Sequence, residues 1–241
     1  METVKEQKVE QDYAIYNGDC MAVTTNLESN SIDLSVYSPP FASLYNYSSS
    51  ELDFSNCDSR EQFLNQYEYL IKEVARVTKP GRISAVHVTD VHNKDGSLWD
   101  FPNAVKLLHK KHGFKHMNTI TIWKEPLKVR MRTMVRSLMH KLIVEDSTEC
   151  FTAMPDYVLI FKKEGENTTP VTHPQGLKYY AGANPMLPAM AKKYGSFDDL
   201  KKKYANHKDP KSNKLSHIIW QRYASSVWDD IRIDHVLKFK E

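Results

Sequence analysis

Apolar positions along the chain recur with two alternating spacings. Short apolar runs at residues 13–18 (YAIYNG), 31–37 (SIDLSVY), 82–88 (RISAVHV), 117–123 (MNTITIW) and 156–163 (DYVLIFKK) predict strands. Within residues 59–78, Phe63, Leu64, Tyr67, Leu70, Ile71, Val74 and Val77 fall at helical spacing. Ser59 is placed to cap that helix, with Gln62 as its reciprocal partner, and Pro80-Gly81 ends it. A second helix is predicted over 98–113, stopped by Gly113. Strands alternating with helices predict an α/β domain with a largely parallel sheet. The last two strands, separated by a long basic excursion, are expected to pair antiparallel at one edge. After Glu164 prolines and glycines break the pattern, and a lysine-rich stretch follows at 192–214. The expected organisation is an α/β domain over 1–165, a basic, mostly helical region over 166–225 and a tail over 226–241.

Composition narrows the class only a little. The 241 residues are 41% hydrophobic and 26% charged, as in soluble globular proteins. No run of 18 apolar residues predicts a membrane span. The charged N-terminus METVKEQKVEQD lacks the apolar stretch of a secretory signal and reads as a short, frayed lead-in. Three separated cysteines, Cys20, Cys57 and Cys150, form no C-x-x-C pair, which argues against a disulfide framework or structural zinc and for a reducing, cytoplasmic setting. His109, His112 and His116 lie close together without an acidic partner in the sequence, so no metal site is expected. A net charge of +3 is too mild to identify a nucleic-acid partner by itself.

The strand at 31–37 runs into Ser38-Pro39-Pro40-Phe41. Each proline fixes φ near −65° and holds the preceding residue extended, and neither offers an N–H. The turn therefore presents acceptors, the Ser38 hydroxyl and the Pro39 carbonyl, beside an aromatic ring. Such a set suits a flat heterocycle with an exocyclic amine: the acceptors take its two hydrogens and the ring stacks on it. On composition alone, a rigid turn that merely ends a strand is the favoured reading of the tetrapeptide.

The tetrapeptide after SIDLSVY, with YNGDC about 20 residues earlier, resembles the amino-methyltransferases of DNA in which a [D/S/N]-P-P-[Y/F/W] motif ends a strand. RVTKPGRISAVHV, WKEPLKVRMRTMVRSLMHKLIVEDS and PDYVLIFKKEGEN follow in the order of phage and prophage-type members, so the resemblance covers roughly residues 12–175. It implies a Rossmann-like, S-adenosylmethionine-dependent methyltransferase sheet. Ser38 and the Pro39 carbonyl would hold the target amine, with Pro40 stiffening the turn and Phe41 stacking on the base. Asp19, Cys20 and Ser38 would lie at the cofactor. The implied reaction is direct methyl transfer to the amine of a base flipped out of duplex DNA, with no covalent enzyme intermediate. Serine first and phenylalanine fourth resemble the cytosine-N4 branch more than the adenine-N6 branch.

Lys124, Lys128, Arg130, Arg132, Arg136 and Lys141 stand against one acid, Glu125, over residues 124–141. Beside a base-flipping motif they are expected to contact DNA phosphates, whereas alone they would read as a solvated helix face. The basic 166–225 region, with its lysines at 192–214, reads equally as a target-recognition element or a soluble surface helix. The family also carries a Gly-rich F-x-G-x-G turn that wraps the cofactor, and none of the eight glycines here forms G-x-G. The expectation is thus a partial sheet lacking its central strands, with an open edge on the 31–37 strand, in a split or truncated enzyme completed by a second polypeptide. A catalytically inactive DNA-binding or interaction protein is the other expectation.

Overall fold

The computed structural model describes residues 4–41, 46–93, 95–133, 140–150, 154–172, 184–204 and 214–232, the side chains of 132, 133 and 149 excepted. The chain divides into two compact units, residues 1–167 with 229–241, and residues 168–228.

In the first unit, β1 (Val4–Val9) and β2 (Ala14–Gly18) form an antiparallel hairpin closed by Glu10 N–H donating to the Tyr13 carbonyl at 2.8 Å. This corrects the expectation of a frayed lead-in. VKEQKV has no apolar alternation, so its strand rests on backbone pairing with β2 rather than on burial. Asp19 caps the short helix α1 (Cys20–Thr25), and β3 (Ile32–Tyr37) leads to the tetrapeptide.

Helix α2 (Arg60–Val77) begins at Ser59, whose hydroxyl accepts from the Gln62 amide at 3.1 Å. The Gln62 side chain reaches back one residue further than a capping box requires, to the Asp58 amide at 2.8 Å. The chain turns directly from α2 into β4 (Thr78–Val88), which includes Pro80-Gly81 instead of starting after it. Gly81 makes that passage possible: its φ is +73°, and a Cβ there would meet the Cβ of Asn167 at 2.7 Å. A small hairpin of β5 (Val91–His92) and β6 (Leu98–Trp99) delays the next helix, α3 (Phe101–Lys111), which is capped by Asp100 and carries Pro102 in its first turn. β7 (Phe114–Ile122), α4 (Pro126–Thr133), α5 (His140–Glu145) and β8 (Asp156–Lys163) follow.

The main sheet runs β3–β4–β8–β7. β3 and β4 are parallel, and β8 is antiparallel to both β4 and β7. Three strands therefore run one way and β8 alone runs the other. The expected antiparallel pair exists, but β8 lies inside the sheet, between β4 and β7. Helices α2 and α3 cover one face. Phe63, Tyr67 and Ile71 of α2 and Phe101 and Val105 of α3 are buried against Val86, Val88, Leu159, Phe161 and Phe114 of the strands. Each fully buried large apolar side chain contributes roughly 1.5–3 kcal/mol. Among the described residues no strand pairs with the outer edge of β3, and its Leu34 and Val36 are 58% and 71% exposed.

The second unit contains α6 (Pro188–Tyr194), α7 (Phe197–Tyr204) and α8 (Lys214–Tyr223). Phe197, Leu200, Leu215, Ile218 and Ile219 form its own buried cluster. No helix among the described residues is long and apolar enough to cross a membrane.

Candidate active site

The strand register decides which residues meet. Tyr37 lies beside Val86, so Ser38 falls level with His87; Ile122 lies beside Asp156. The carboxyl ends of β3, β4 and β7 and the amino end of β8 thus share one end of the sheet, where open α/β sheets hold their ligands.

Four polar side chains connect there. Ser38 Oγ lies 3.1 Å from His87 Nδ1 and 3.1 Å from the His87 carbonyl oxygen. His87 Nε2 lies 2.9 Å from Asp156 Oδ2, and the Lys124 ammonium pairs with Oδ1 of the same carboxylate. Burial pushes the Asp156 carboxyl up, but hydrogen bonds from His87 and Lys124 outweigh it and hold the group below its ordinary value. Whichever His87 atom takes the single hydroxyl hydrogen, Ser38 Oγ keeps a lone pair for an amine. Pro39 is buried and Pro40 half-buried. Phe41 is half-buried, 6.3 Å from the Phe101 ring at 72° and 5.9 Å from the His87 ring.

Behind the tetrapeptide Tyr37 is fixed from below. Its hydroxyl meets His109 Nε2 at 3.0 Å, and His109 Nδ1 donates to the Val105 carbonyl at 2.8 Å. Burial pushes the Tyr37 hydroxyl up to about 12, so it stays protonated and acts as the donor in this contact. The three clustered histidines go separate ways. His109 is in the core, His116 is bonded to Thr119 at 2.9 Å, and His112 meets Glu68 at 2.9 Å, an acidic partner invisible in the local sequence.

A cavity of about 360 Å3 adjoins the turn, within the size range of small-ligand sites. Asn17, Gly18, Asp19 and Cys20 line it together with Lys5 and Pro40, and Ser48, Ser50, Leu52, Asp53 and Phe54 complete it. Two elements singled out from the sequence thus share one cavity, whereas the contribution of residues 48–54 carries no motif. Apolar walls from Pro40, Leu52 and Phe54 beside two carboxylates, two hydroxyls and the Lys5 ammonium suit a ligand with a heterocycle and a polar edge. Each carboxylate already accepts protein hydrogen bonds: Asp19 from Met21 and Ala22, Asp53 from Ser48 and Ser55. A carboxylate has about four lone-pair sites, so both retain acceptor capacity.

The basic residues are dispersed. Lys124 is engaged by Asp156, at the site rather than on an outer face. Lys128 pairs with Glu125 at 3.1 Å on α4, which also carries the half-buried Arg130, and Lys141 lies 3.8 Å from Glu145 on α5. The Arg132 side chain and Arg136 fall outside the described residues.

The N6_N4_Mtase family, described as DNA methylase, matches residues 32–239. No curated protein matches the chain in sequence. Among solved structures, the fold is similar to that of a candidate DNA modification methylase from Thermus thermophilus, at TM-score 0.53 and 20% identity over 89% of this chain and 65% of that one. A structure of the same protein complexed with S-adenosyl-L-methionine matches at TM-score 0.51, 20% identity and the same coverage. The PvuII DNA methyltransferase, cytosine-N4-specific, matches at TM-score 0.44 and 15% identity over 71% of this chain and 64% of that one. The chain spans just under two thirds of the length of these proteins. With the family match spanning residues 32–239, most of the chain, and a fold similar to that of a DNA modification methylase, the chain belongs to the DNA methylase family.

Proposed function

We propose that the chain carries the base-binding part of a DNA amino-methyltransferase acting on a base flipped out of duplex DNA, with cytosine N4 as target over adenine N6. One observation carries the reading. Ser38-Pro39-Pro40-Phe41 stands at the carboxyl end of β3 with Pro40 in the wall of the cavity formed by Gly18, Asp19 and Cys20. Amine acceptors and a cofactor-sized space are therefore adjacent.

The cofactor, S-adenosylmethionine, would be held by Asp19, Cys20 and the 48–54 segment, and when bound it supplies an electrophilic methyl group. The chain's own residues do the rest. Ser38 Oγ and the Pro39 carbonyl accept from the amine hydrogens, which turns the nitrogen lone pair out of conjugation, and Phe41 holds the ring. Lys128, Arg130, Arg132, Arg136 and Lys141 supply phosphate contacts. The edge of β3, unpaired among the described residues, is where strands bearing a Gly-rich cofactor turn would pair, and a second polypeptide is one carrier that could bring them.

The test incubates the chain, alone and with a second chain bearing F-x-G-x-G, with duplex DNA and isotope-labelled S-adenosylmethionine, then resolves the nucleosides by mass spectrometry. N4-methylcytosine supports the reading, and N6-methyladenine reassigns the base within it. No methylated nucleoside under any complementation, with salt-sensitive DNA binding that survives Ser38→Ala, would instead make the protein an inactive DNA-binding relative.

A further inference from the structure

We infer that His87 is the proton-accepting positioning residue of this site and works through the Ser38 hydroxyl. The inference rests on the methyl-transfer reading. Transfer to an amine leaves a proton to be disposed of. The nitrogen lone pair forms the new N–C bond, the methyl carbon's bond to the carrier sulfur breaks with its electron pair going to sulfur, and the now cationic nitrogen releases one N–H proton. Neither the Ser38 hydroxyl nor the Pro39 carbonyl holds an extra proton at neutral pH. The nearest basic nitrogen is Nδ1 of the His87 imidazole, 3.1 Å from Ser38 Oγ.

The hydrogen-bond order of the site sets that imidazole up. An ionised carboxylate only accepts, so the 2.9 Å contact with Asp156 requires the hydrogen on His87 Nε2. In the neutral ring Nδ1 is then bare, 3.1 Å from Ser38 Oγ. The hydroxyl hydrogen has a second acceptor in the His87 carbonyl, also at 3.1 Å, and both choices leave an Oγ lone pair for the amine. When the amine proton passes to Oγ, the hydroxyl proton passes to Nδ1. The ring becomes an imidazolium facing the Asp156 carboxylate, whose other oxygen is held by Lys124. Serine thus conducts the proton without ever carrying net charge. These four residues come from the turn after β3, from β4, from the segment after β7 and from the start of β8, and the sheet register brings them together.

The test is spectroscopic and uses the full chain without cofactor. Long-range 1H–15N correlation on protein with 15N-histidine, at neutral pH, reads which nitrogen of His87 carries hydrogen. The expected result is protonated Nε2 and bare Nδ1, with Asp156→Asn mixing the tautomers and Ser38→Ala moving the Nδ1 signal more than the Nε2 signal. A wild-type ring protonated at Nδ1, or one indifferent to Asp156→Asn, overturns the proposal without any variant of His87 having to fold. In transfer assays with a complementing chain, His87→Gln is expected to lower kcat by about 100-fold or more, with KM for DNA changed only a few-fold. It should add little on top of Ser38→Ala. An unchanged kcat overturns the proton role. Absence of transfer by the wild type under any complementation, with the Nε2–H tautomer in place, sinks the methyl-transfer reading and this role with it, but not the hydrogen-bond order.

Discussion

His87 on β4 and Asp156 at the head of β8 are joined Nε2 to Oδ2 at 2.9 Å, although 69 residues separate them. Asp156 also holds Lys124, so one buried carboxylate ties together the ends of three strands. Its pKa is lowered in the fold, so the stability it contributes is present in full above the ordinary carboxylate range. That contribution is lost as pH falls through the lower folded value. Asp156→Asn is expected to cost roughly 1.5–3 kcal/mol near pH 7, the worth of hydrogen bonds to a charged group. Urea unfolding of both proteins at neutral pH and near pH 3 should show the gap narrowing in acid. A gap independent of pH would mean that the carboxylate is not ionised at neutral pH.

His109 behaves in the opposite sense to a surface histidine. Burial pushes its pKa down to about 4, only partly opposed by its hydrogen bond to the Val105 carbonyl, and its ring stacks on Phe161 at 4.0 Å. The unfolded chain takes up the proton near pH 6.5 and the folded one near 4. The stability favouring the neutral ring is therefore complete above pH 6.5 and is lost on acidification toward 4, by roughly 3 kcal/mol in all. Wild type should lose stability between pH 7.5 and 4.5 beyond what the carboxylates explain, and His109→Phe should lose less. Because Nε2 accepts from Tyr37, the variant should also perturb residues 37–39, readable as amide shifts. Equal pH dependence in the two proteins would contradict the burial argument.

The legible and illegible parts of the chain divide along a physical line. Strands β3, β4, β7 and β8 and helix α2 with its Ser59 cap were readable because each is specified by its own apolar spacing and end residues. The placement of Ser38-Pro39-Pro40-Phe41 at a strand end followed from the same local signals. β1 was not readable, since VKEQKV is polar between its two end valines and becomes a strand only by pairing with β2. The position of β8 between β4 and β7 is a choice of neighbours that no single segment encodes. His87 sat in an apolar run and looked like one more strand residue; its role comes from Asp156, 69 positions away, and Lys124 looked like a phosphate contact for the same reason. Histidine as the one titratable residue near the end of an otherwise apolar strand was the available signal.

Arg76 links the main helix to the C-terminal end of α1, whose first residue, Cys20, lines the cavity. From α2 its guanidinium donates to the carbonyls of Leu27 at 2.8 Å and Thr24 at 2.9 Å, at the end of α1, while Glu73 holds it at 2.7 Å. The planar fork satisfies several helix-end carbonyls at once, which the single ammonium of lysine does not. Arg76→Lys is expected to destabilise the fold by about 1–3 kcal/mol and to raise hydrogen exchange in residues 21–27 more than in β4 or β8. Uniform acceleration across the protein would mean that α1 is not held through this contact.

Among the described residues Phe41 has two ring neighbours to lose, Phe101 and His87. Phe41→Ala should therefore cost both stability and base capture, and Phe41→Leu separates the two by keeping apolar contact without an aromatic face. With 2-aminopurine at the target position, base flipping should raise fluorescence in the wild type and much less in either variant. S-adenosylmethionine affinity, measured with the complementing chain present, should stay within about threefold for the leucine variant. If cofactor affinity falls while flipping persists, the ring belongs to the cofactor side and not to the base.

The outer edge of β3 gives the last prediction. Its ladder groups have no strand partner among the described residues, and Leu34 and Val36 lie 58% and 71% exposed on the side away from α2 and α3, where Ser35 and Tyr37 are partly covered. An apolar, unpaired edge pairs with whatever strand is offered, including its own copy. The isolated chain is thus expected to self-associate in a concentration-dependent way, visible by sedimentation velocity. Val36→Lys should suppress this, because a charge on an open edge disfavours a second apolar strand, while costing little stability at so exposed a position. The same substitution should weaken pairing with a complementing chain that brings the Gly-rich turn, since both compete for one edge. Self-association undiminished in Val36→Lys would place the contact elsewhere on the molecule, and complementation unaffected by it would remove β3 as the joining strand.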